Sequence, residues 1–259
     1  MAGVSFDPIA DSYDATRRLP GPLMERALAA LANVLGEERT LEVGVGTGQF
    51  AAPLRRHGVR VVGVDISARM LTHARAKGCG DLFLASGTDL PFRDGAFRAS
   101  MAIHVLHLVA AWREVLRELA RVTRDRFVTL FETITTRSLD GGEPSIVHGD
   151  ALAWPMGRYQ ELVRPLGYGY EHPGIRPSDM VARAAPALRV PVGSHRADLA
   201  AEDILAPIAA KTHSSQWHVP DAVHVDVLAR LRRESAGRRF ERTWDVEVVA
   251  WSPPDLLRI

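Results

Sequence analysis

Five residues between positions 42 and 65 have the types and spacing to hold a nucleoside. Glu42, Gly44, Gly46 and Gly48 lie where the apolar run 40–44 gives way to a helical stretch. Asp65 ends the next apolar run, 65 − 44 = 21 positions after the first glycine. Glycines at a strand-to-helix turn let the backbone bend tightly and let a ligand approach closely. An acidic side chain closing the following strand can accept hydrogen bonds from ribose hydroxyls. The glycine turn says little alone; with strand, helix, strand and terminal Asp it reads as a nucleoside cradle.

The spacing discriminates among nucleosides. The dinucleotide fingerprint G-x-G-x-x-G requires glycine where Gln49 stands, and Gly48 comes one place early. The sequence therefore fits a nicotinamide or flavin dinucleotide poorly, and it has no G-x-x-x-x-G-K-[ST] phosphate loop. The Glu42 carboxylate would repel a pyrophosphate. It suits a ligand carrying an ammonium and a sulfonium, such as S-adenosylmethionine.

Histidines and aromatics supply the remaining candidates. His104 and His107 follow an apolar run at 97–105, at the edge where open α/β sheets bind ligands. His104 is the better site candidate, as base and as cofactor contact, and His107 reads as a structural histidine. His148-x-Asp150 has metal-ligand residue types but no further ligands at recognisable spacing, so no metal is expected. His148, His213 and Trp217 lie in the second half and are candidates to face an acceptor.

These residues need a scaffold. Strand signals at 40–44, 59–65, 81–86, 97–105 and 126–134 alternate with helical patterns. Ser67 is a cap for a helix burying Met70, Leu71 and Ala74 and ending at Gly78. Trp112, Val115, Leu116 and Leu119 mark another helix face. Repeated β-α units imply a parallel sheet covered by helices on both faces. After Ile134 the pattern loosens. Residues 138–150 read as a loop and 171–186 as an interrupted stretch. Helices are expected with Met156, Tyr159, Leu162, Val163 and Leu166 on one side, and near 197–210 and 221–235. A closing strand is expected at 242–251.

The segment E-V-G-V-G-T-G at 42–48 resembles motif I of the class I S-adenosylmethionine-dependent methyltransferases, in the ubiquinone/menaquinone-biosynthesis-like (methyltransferase type 11) branch. V-D-I-S-A-R-M-L at 64–71, D-L-P-F-R-D-G-A-F at 89–97, H-V-L-H-L-V at 104–109 and the leader F-D-P-I-A-D-S-Y-D at 6–14 are similar to further family segments. The resemblance covers residues 6–134 and fades over 135–240. It implies a doubly wound, Rossmann-like α/β sheet of seven mostly parallel strands with an inserted helical lid. On that reading residues 1–137 form the cofactor-binding core, 138–187 and 194–238 the lid and substrate-specificity insertions, and 188–193 and 239–259 the final strands. It implies Glu42, Gly44, Gly46 and Gly48 along the methionine half of S-adenosylmethionine and Asp65 on its ribose. Ile66 and Met70 pack on adenine, or serve as core, and Ser86, Gly87 and Thr88 meet the adenine edge. Tyr13 covers the reactive end or is an ordinary packed aromatic, and Arg17 or Arg18 meets a carboxylate or is solvated. Two positions depart from the pattern: Ser86, where relatives carry Asp, and Arg98, where Asp commonly follows the Phe.

The implied reaction is methyl transfer to the O, N or C of a small molecule, with His104, Tyr13, His148 and His213 as candidate catalytic groups. The alternatives are an RNA or protein methyltransferase, or a non-catalytic S-adenosylmethionine-binding subunit. The D/N-P-P-Y/F motif of amino-methylating nucleic-acid enzymes is absent, and Cys79 is badly placed to be a pyrimidine nucleophile. Composition narrows the field further. The 259 residues are 46% hydrophobic and 24% charged, with a net charge of +1, which is globular and gives no case for nucleic acid or a membrane surface. A lone cysteine rules out an internal disulfide framework. No apolar run is long enough to span a bilayer and no secretory signal opens the sequence, so a cytoplasmic protein is expected, monomeric or homodimeric.

Overall fold

β1 (Arg39–Val43) is buried along its length except at Arg39. It runs parallel to β2 (Arg60–Asp65) on one side and to β4 (Phe97–Met101) on the other. Strands in these positions are covered on both faces, so β1 is buried from Thr40 to Val43 and β2 carries Val61 and Val62 side by side. β3 (Asp81–Leu84) lies parallel to β2, and β5 (Thr123–Ser138) parallel to β4. β6 (Ser145–His148) pairs antiparallel with the far end of β5. With β7 (Leu188–Ala200) and β8 (Arg239–Trp251), the order is β3-β2-β1-β4-β5-β8-β7. The direction of winding reverses between β1 and β4, the point where doubly wound sheets open a crevice at their carboxyl ends. The structure is a computed structural model and describes residues 6–7, 10–11, 13–16, 19–141, 145–148 and 154–259.

The helices are α1 (Tyr13–Thr16), α2 (Gly21–Leu35), α3 (Ala51–Arg56), α4 (Ala68–Ala76), α5 (Trp112–Val122), α6 (Met156–Val163), α7 (Pro177–Arg183), α8 (Ala201–Ala209), α9 (Asp221–Ser235) and α10 (Pro253–Leu256). α5 buries Trp112, Val115, Leu116, Leu119 and Val122, the face expected from its spacing. Ser67 caps α4 by accepting from the Met70 amide at 3.0 Å.

Contacts divide the chain into two compact units. The first is Met1–Phe131, Pro173–Gly193 and Val246–Ile259; the second is Glu132–His172 and Ser194–Asp245. The core of the first gathers Leu41, Val43, Val62, Leu116, Phe127 and Trp251, among others. That of the second is built on Met156, Tyr159, Val163, Leu205, Ile208 and Leu231.

The division differs from the one expected. Residues 173–187 fall in the first unit, not in a lid: Ile175 and Met180 are buried in its core. The Gly174 and Ile175 amides donate to the His107 and Leu106 carbonyls at 3.0 and 3.2 Å. β5, β7 and β8 are longer than the apolar runs that announced them, and β6 forms inside a stretch expected to be loop. Leu166, expected on the buried side of its helix, sits in a turn after α6 and is 56% exposed. The departure at Arg98 acquires a reason. Its guanidinium donates to the Leu35 carbonyl at the end of α2 and lies 3.5 Å from Asp125. The D-L-P-F turn is fastened by α5, through Glu118 to the Leu90 amide at 2.8 Å and Arg121 to the Phe92 carbonyl at 2.7 Å.

Candidate functional site

At the carboxyl ends of β1, β2 and β4 the first unit opens a cleft. Its walls include Gly44, Gly46, Asp65, Ile66, Met70, Ser86, Gly87, His104 and Tyr13. Nine of the residues singled out from the sequence therefore meet in one cavity.

Asp65 ties the cleft together. One carboxylate oxygen accepts from the Gly46 amide at 2.8 Å and the other from the Ser67 amide at 2.9 Å. The side chain thus clasps the glycine turn to the start of α4. Burial raises its pKa, against the lowering effect of these amides. Each oxygen has a second lone pair to offer, so the clasp leaves acceptors for hydroxyls. Ile66 beside it is 42% exposed, an apolar platform in a cavity wall, whereas Met70 is buried and serves both core and wall.

Glu42 lies deeper. It is 2% exposed, does not line the cleft, and its Oε2 atom is buried without a hydrogen-bond partner. Burial, and then the nearby Asp65 charge, hold its pKa well above the ordinary value. An acid left in that condition favours a cation nearby. The ammonium and sulfonium of S-adenosylmethionine meet that demand, and a pyrophosphate does not.

The glycines divide by role. At Gly44, with φ +74°, a Cβ would lie 2.6 Å from a Val105 methyl carbon. Gly46 also has positive φ and nothing crowding it. Gly48 does not line the cleft: a Cβ there would lie 2.7 Å from Cys79 Sγ, so this glycine lets the turn pack on the end of α4. Thr88 also lies outside the wall, its hydroxyl 2.7 Å from that of Ser86. His104 has φ +57°, a conformation seldom adopted outside glycine, and its ring meets Phe50 edge-on at 6.2 Å. His107 is 8% exposed, as a structural histidine would be. His213 belongs to the second unit, and His148 closes β6 in the same unit. His213 opens a short 3₁₀ turn, where its amide donates to Gln216 at 3.3 Å, and Trp217 donates to the Lys211 carbonyl at 3.0 Å. Asp150, Arg17 and Arg18 lie outside the described residues. Among the described residues no group of three or more His, Cys, Asp or Glu could hold a metal ion, and no helix is long and apolar enough to cross a membrane.

Sequence reasoning missed what fixes the leader. Phe6 and Tyr13 pack edge-to-face at 5.6 Å and both line the cleft. Acids alternate with them along the segment. Asp7 accepts from Ser67, Asp11 pairs with Arg69 and His73, and Asp14 pairs with Lys77 and accepts from Thr47 at 2.6 Å. Arg69, His73 and Lys77 recur every four residues and so form one stripe along α4. Replacing Asp14 by Ala should cost under about 1 kcal/mol of global stability, as exposed pairs do. It should nevertheless speed proteolytic cleavage within residues 6–16 and weaken ligand binding in the cleft several-fold. Unchanged cleavage would show that the apolar contacts alone hold the segment.

A family model described as a methyltransferase domain matches residues 41–128. The matched segment holds the glycine turn, Asp65, α4 and His104. Malonyl-[acyl-carrier protein] O-methyltransferase of Erwinia pyrifoliae is 35% identical over 138 residues, 52% of this chain and 52% of that protein. Demethylmenaquinone methyltransferase of Tropheryma whipplei is 33% identical over 127 residues, 46% of this chain and 53% of that one. This chain thus spans about half the length of these relatives. Among solved structures, a putative methyltransferase from an antibiotic biosynthesis pathway of Anabaena variabilis superposes with TM-score 0.52 at 15% identity. The match covers 85% of this chain and 96% of that one. One from Bacillus halodurans gives 0.51, also at 15%, over 86% and 97%. Both likenesses carry the fold beyond the methyltransferase domain.

Proposed function

We propose that this chain transfers a methyl group from S-adenosylmethionine to a small-molecule acceptor. The observation that carries the reading is the Asp65 clasp: an acid at the end of β2 holding the glycine turn open, with exposed Ile66 beside it and the orphaned Glu42 oxygen behind. Asp65 would hold the ribose hydroxyls, Ile66 and Met70 would pack on the adenine, and Ser86 would accept from its amino group. Glu42 would supply the negative field for the cationic half. When bound, S-adenosylmethionine supplies an electrophilic methyl group on a sulfonium. The chain's part is alignment and exclusion of water, which Phe6, Tyr13 and the apolar wall of Ile103, Val105 and Leu106 provide. His104, at the cleft wall, is the candidate to take a proton from a hydroxyl acceptor. The curated relatives supporting a small acceptor are named for malonyl-[acyl-carrier protein] and demethylmenaquinone.

Calorimetry tests this. S-adenosylmethionine and its demethylated product should bind, and NAD should not bind as tightly. Asp65→Ala should weaken binding about tenfold to a hundredfold, since a hydrogen bond to a charged group is worth roughly 1.5–3 kcal/mol. Equal binding of NAD, or an unchanged dissociation constant in a folded Asp65→Ala variant, would overturn the reading.

A further inference from the structure

We propose that Arg242, in the second unit, is a binding site for the carboxylate of an apolar or aromatic acid. The argument begins with charge. Arg137, Arg158, Arg196, Arg230, Arg232 and Arg239 each lie within 3.4 Å of a carboxylate oxygen. Arg242 does not: among the described residues no carboxylate lies within ion-pair distance of it. The adjacent acid, Glu241, points to the opposite face of β8, as strand alternation demands, and is taken by Arg137 at 2.9 Å and Arg196 at 3.4 Å.

Arg242 is nonetheless held in place. Its Nε donates to the Thr136 hydroxyl at 3.2 Å and one Nη2 hydrogen to the Trp154 carbonyl at 2.9 Å. These are neutral acceptors and use two of the five guanidinium hydrogens. Both partners belong to the second unit, so the arrangement is complete within it. Burial alone acts on the group, lowering its pKa to about 10, and no acid raises it. It remains a cation at neutral pH. A half-buried cation held only by neutral partners is costly unless something supplies the missing charge.

The surroundings suggest what does. Trp154 stacks on Phe240 with ring centroids 4.1 Å apart and planes 15° from parallel. The guanidinium carbon of Arg242 lies 5.8 Å from the Trp244 ring centroid. Phe240, Arg242 and Trp244 alternate along β8 and so share one face. The result is a cation fixed by Thr136 and Trp154 with aromatic rings at its flanks. A planar carboxylate matches the remaining donors of a guanidinium, and rings favour an apolar body behind it.

The test uses phenylacetate, benzoate and decanoate against their primary amides, with inorganic phosphate as a separate arm. Binding is read by calorimetry and by fluorescence of Trp154 and Trp244. The acids should bind the wild-type chain, the amides at least tenfold more weakly, and rising salt should weaken only the acids. R242Q should lose the acids at least tenfold, and R242K, which keeps the charge without the fork, should fall between. If R242Q fails to fold, the acid-to-amide ratio and its salt dependence in the wild-type chain decide. Absence of binding by every acid, equal binding of acids and amides, or an R242Q variant that folds and binds unchanged would each overturn the proposal. Tighter binding of phosphate than of any acid would overturn the ligand class. S-adenosylmethionine affinity, measured on the same variants, should not change. That measurement keeps this site's failure distinct from failure of the cleft in the first unit.

Discussion

Glu42→Gln should stabilise the ligand-free protein at neutral pH while weakening S-adenosylmethionine binding. The two opposite signs come from one cause. Glu42 is buried, one oxygen has no partner, and its pKa is raised by burial and by Asp65. A carboxyl whose pKa is higher folded than unfolded binds its proton more tightly in the folded state. The folded state therefore loses stability as pH climbs from the unfolded value, about 4.3, through the raised folded one. Glutamine keeps the shape and removes that loss. The variant should be more stable than wild type at pH 8, because it carries no proton that the folded state must lose. The gain should vanish below about pH 4, where the acid is protonated in both states. Removing the charge also removes the field that favours a cation, so S-adenosylmethionine should bind roughly tenfold or more weakly. Chemical denaturation across pH, with calorimetry on the same samples, gives both readings. A variant less stable at pH 8 with unaltered binding would make Glu42 a plain core residue.

Much of the first unit was legible because its signals are local. The run at 59–65 is nearly continuous in apolar character, as a strand covered on both faces requires, and that at 40–44 is short and ends at a glycine. The cap at Ser67 and the face of α5 follow from spacing of three and four. α2 was missed although Leu23, Leu28, Leu31 and Leu35 are all buried at helical spacing and Pro22 and Gly36 bracket the helix. There the signal was present. β5 is different: its opening Thr-Arg-Asp-Arg is polar and becomes strand only through pairing with β4. Ile146 and Val147 hinted at β6, but glycines and proline at 141–144 masked a strand that exists by pairing with Thr133–Thr136.

In the site, type and spacing gave the cleft's residues, and partners decided their roles. Gly48 reads like Gly44 in sequence. Only Cys79, 31 positions on, shows that one glycine admits a packed sulfur and the other the wall of a cavity. An acid just before the start of α4 has two possible uses, ribose holder or helix cap. The structure gives the cap to Ser67 and makes Asp65 the clasp of two loops, a role that depends on Gly46 19 positions back. Arg98 made no sense beside Phe97 and does beside Leu35. The leader's acids were invisible as a set because their partners lie 58 to 63 residues away on α4.

Gly44→Ala should abolish S-adenosylmethionine binding at concentrations that saturate wild type, a loss of at least a hundredfold. Two effects combine. The residue has φ +74°, which costs an L side chain roughly 1–2 kcal/mol. The new Cβ would also lie 2.6 and 2.8 Å from Cγ2 and Cβ of Val105, closer than real contacts, and 3.0 Å from its Cγ1. Relief requires the turn or Val105 to move, and both line the cleft. The turn is also bound to Asp65 through Gly46, so displacement reaches the ribose acceptor. The double variant Gly44→Ala, Val105→Gly separates the causes. Removing the whole Val105 side chain relieves all three contacts, the one at 2.8 Å to its Cβ included, and leaves the strained φ. If crowding dominates, the double variant should recover at least tenfold in affinity over the single one. If strain dominates, it should recover almost nothing, with Val105→Gly alone as the control for the lost side chain. Calorimetry on the three variants, each checked for a cooperative unfolding transition, decides between them. A folded Gly44→Ala variant with wild-type affinity would remove the glycine turn from the cofactor site altogether, because a backbone that tolerates a side chain there is not the close-approach surface the cleft requires.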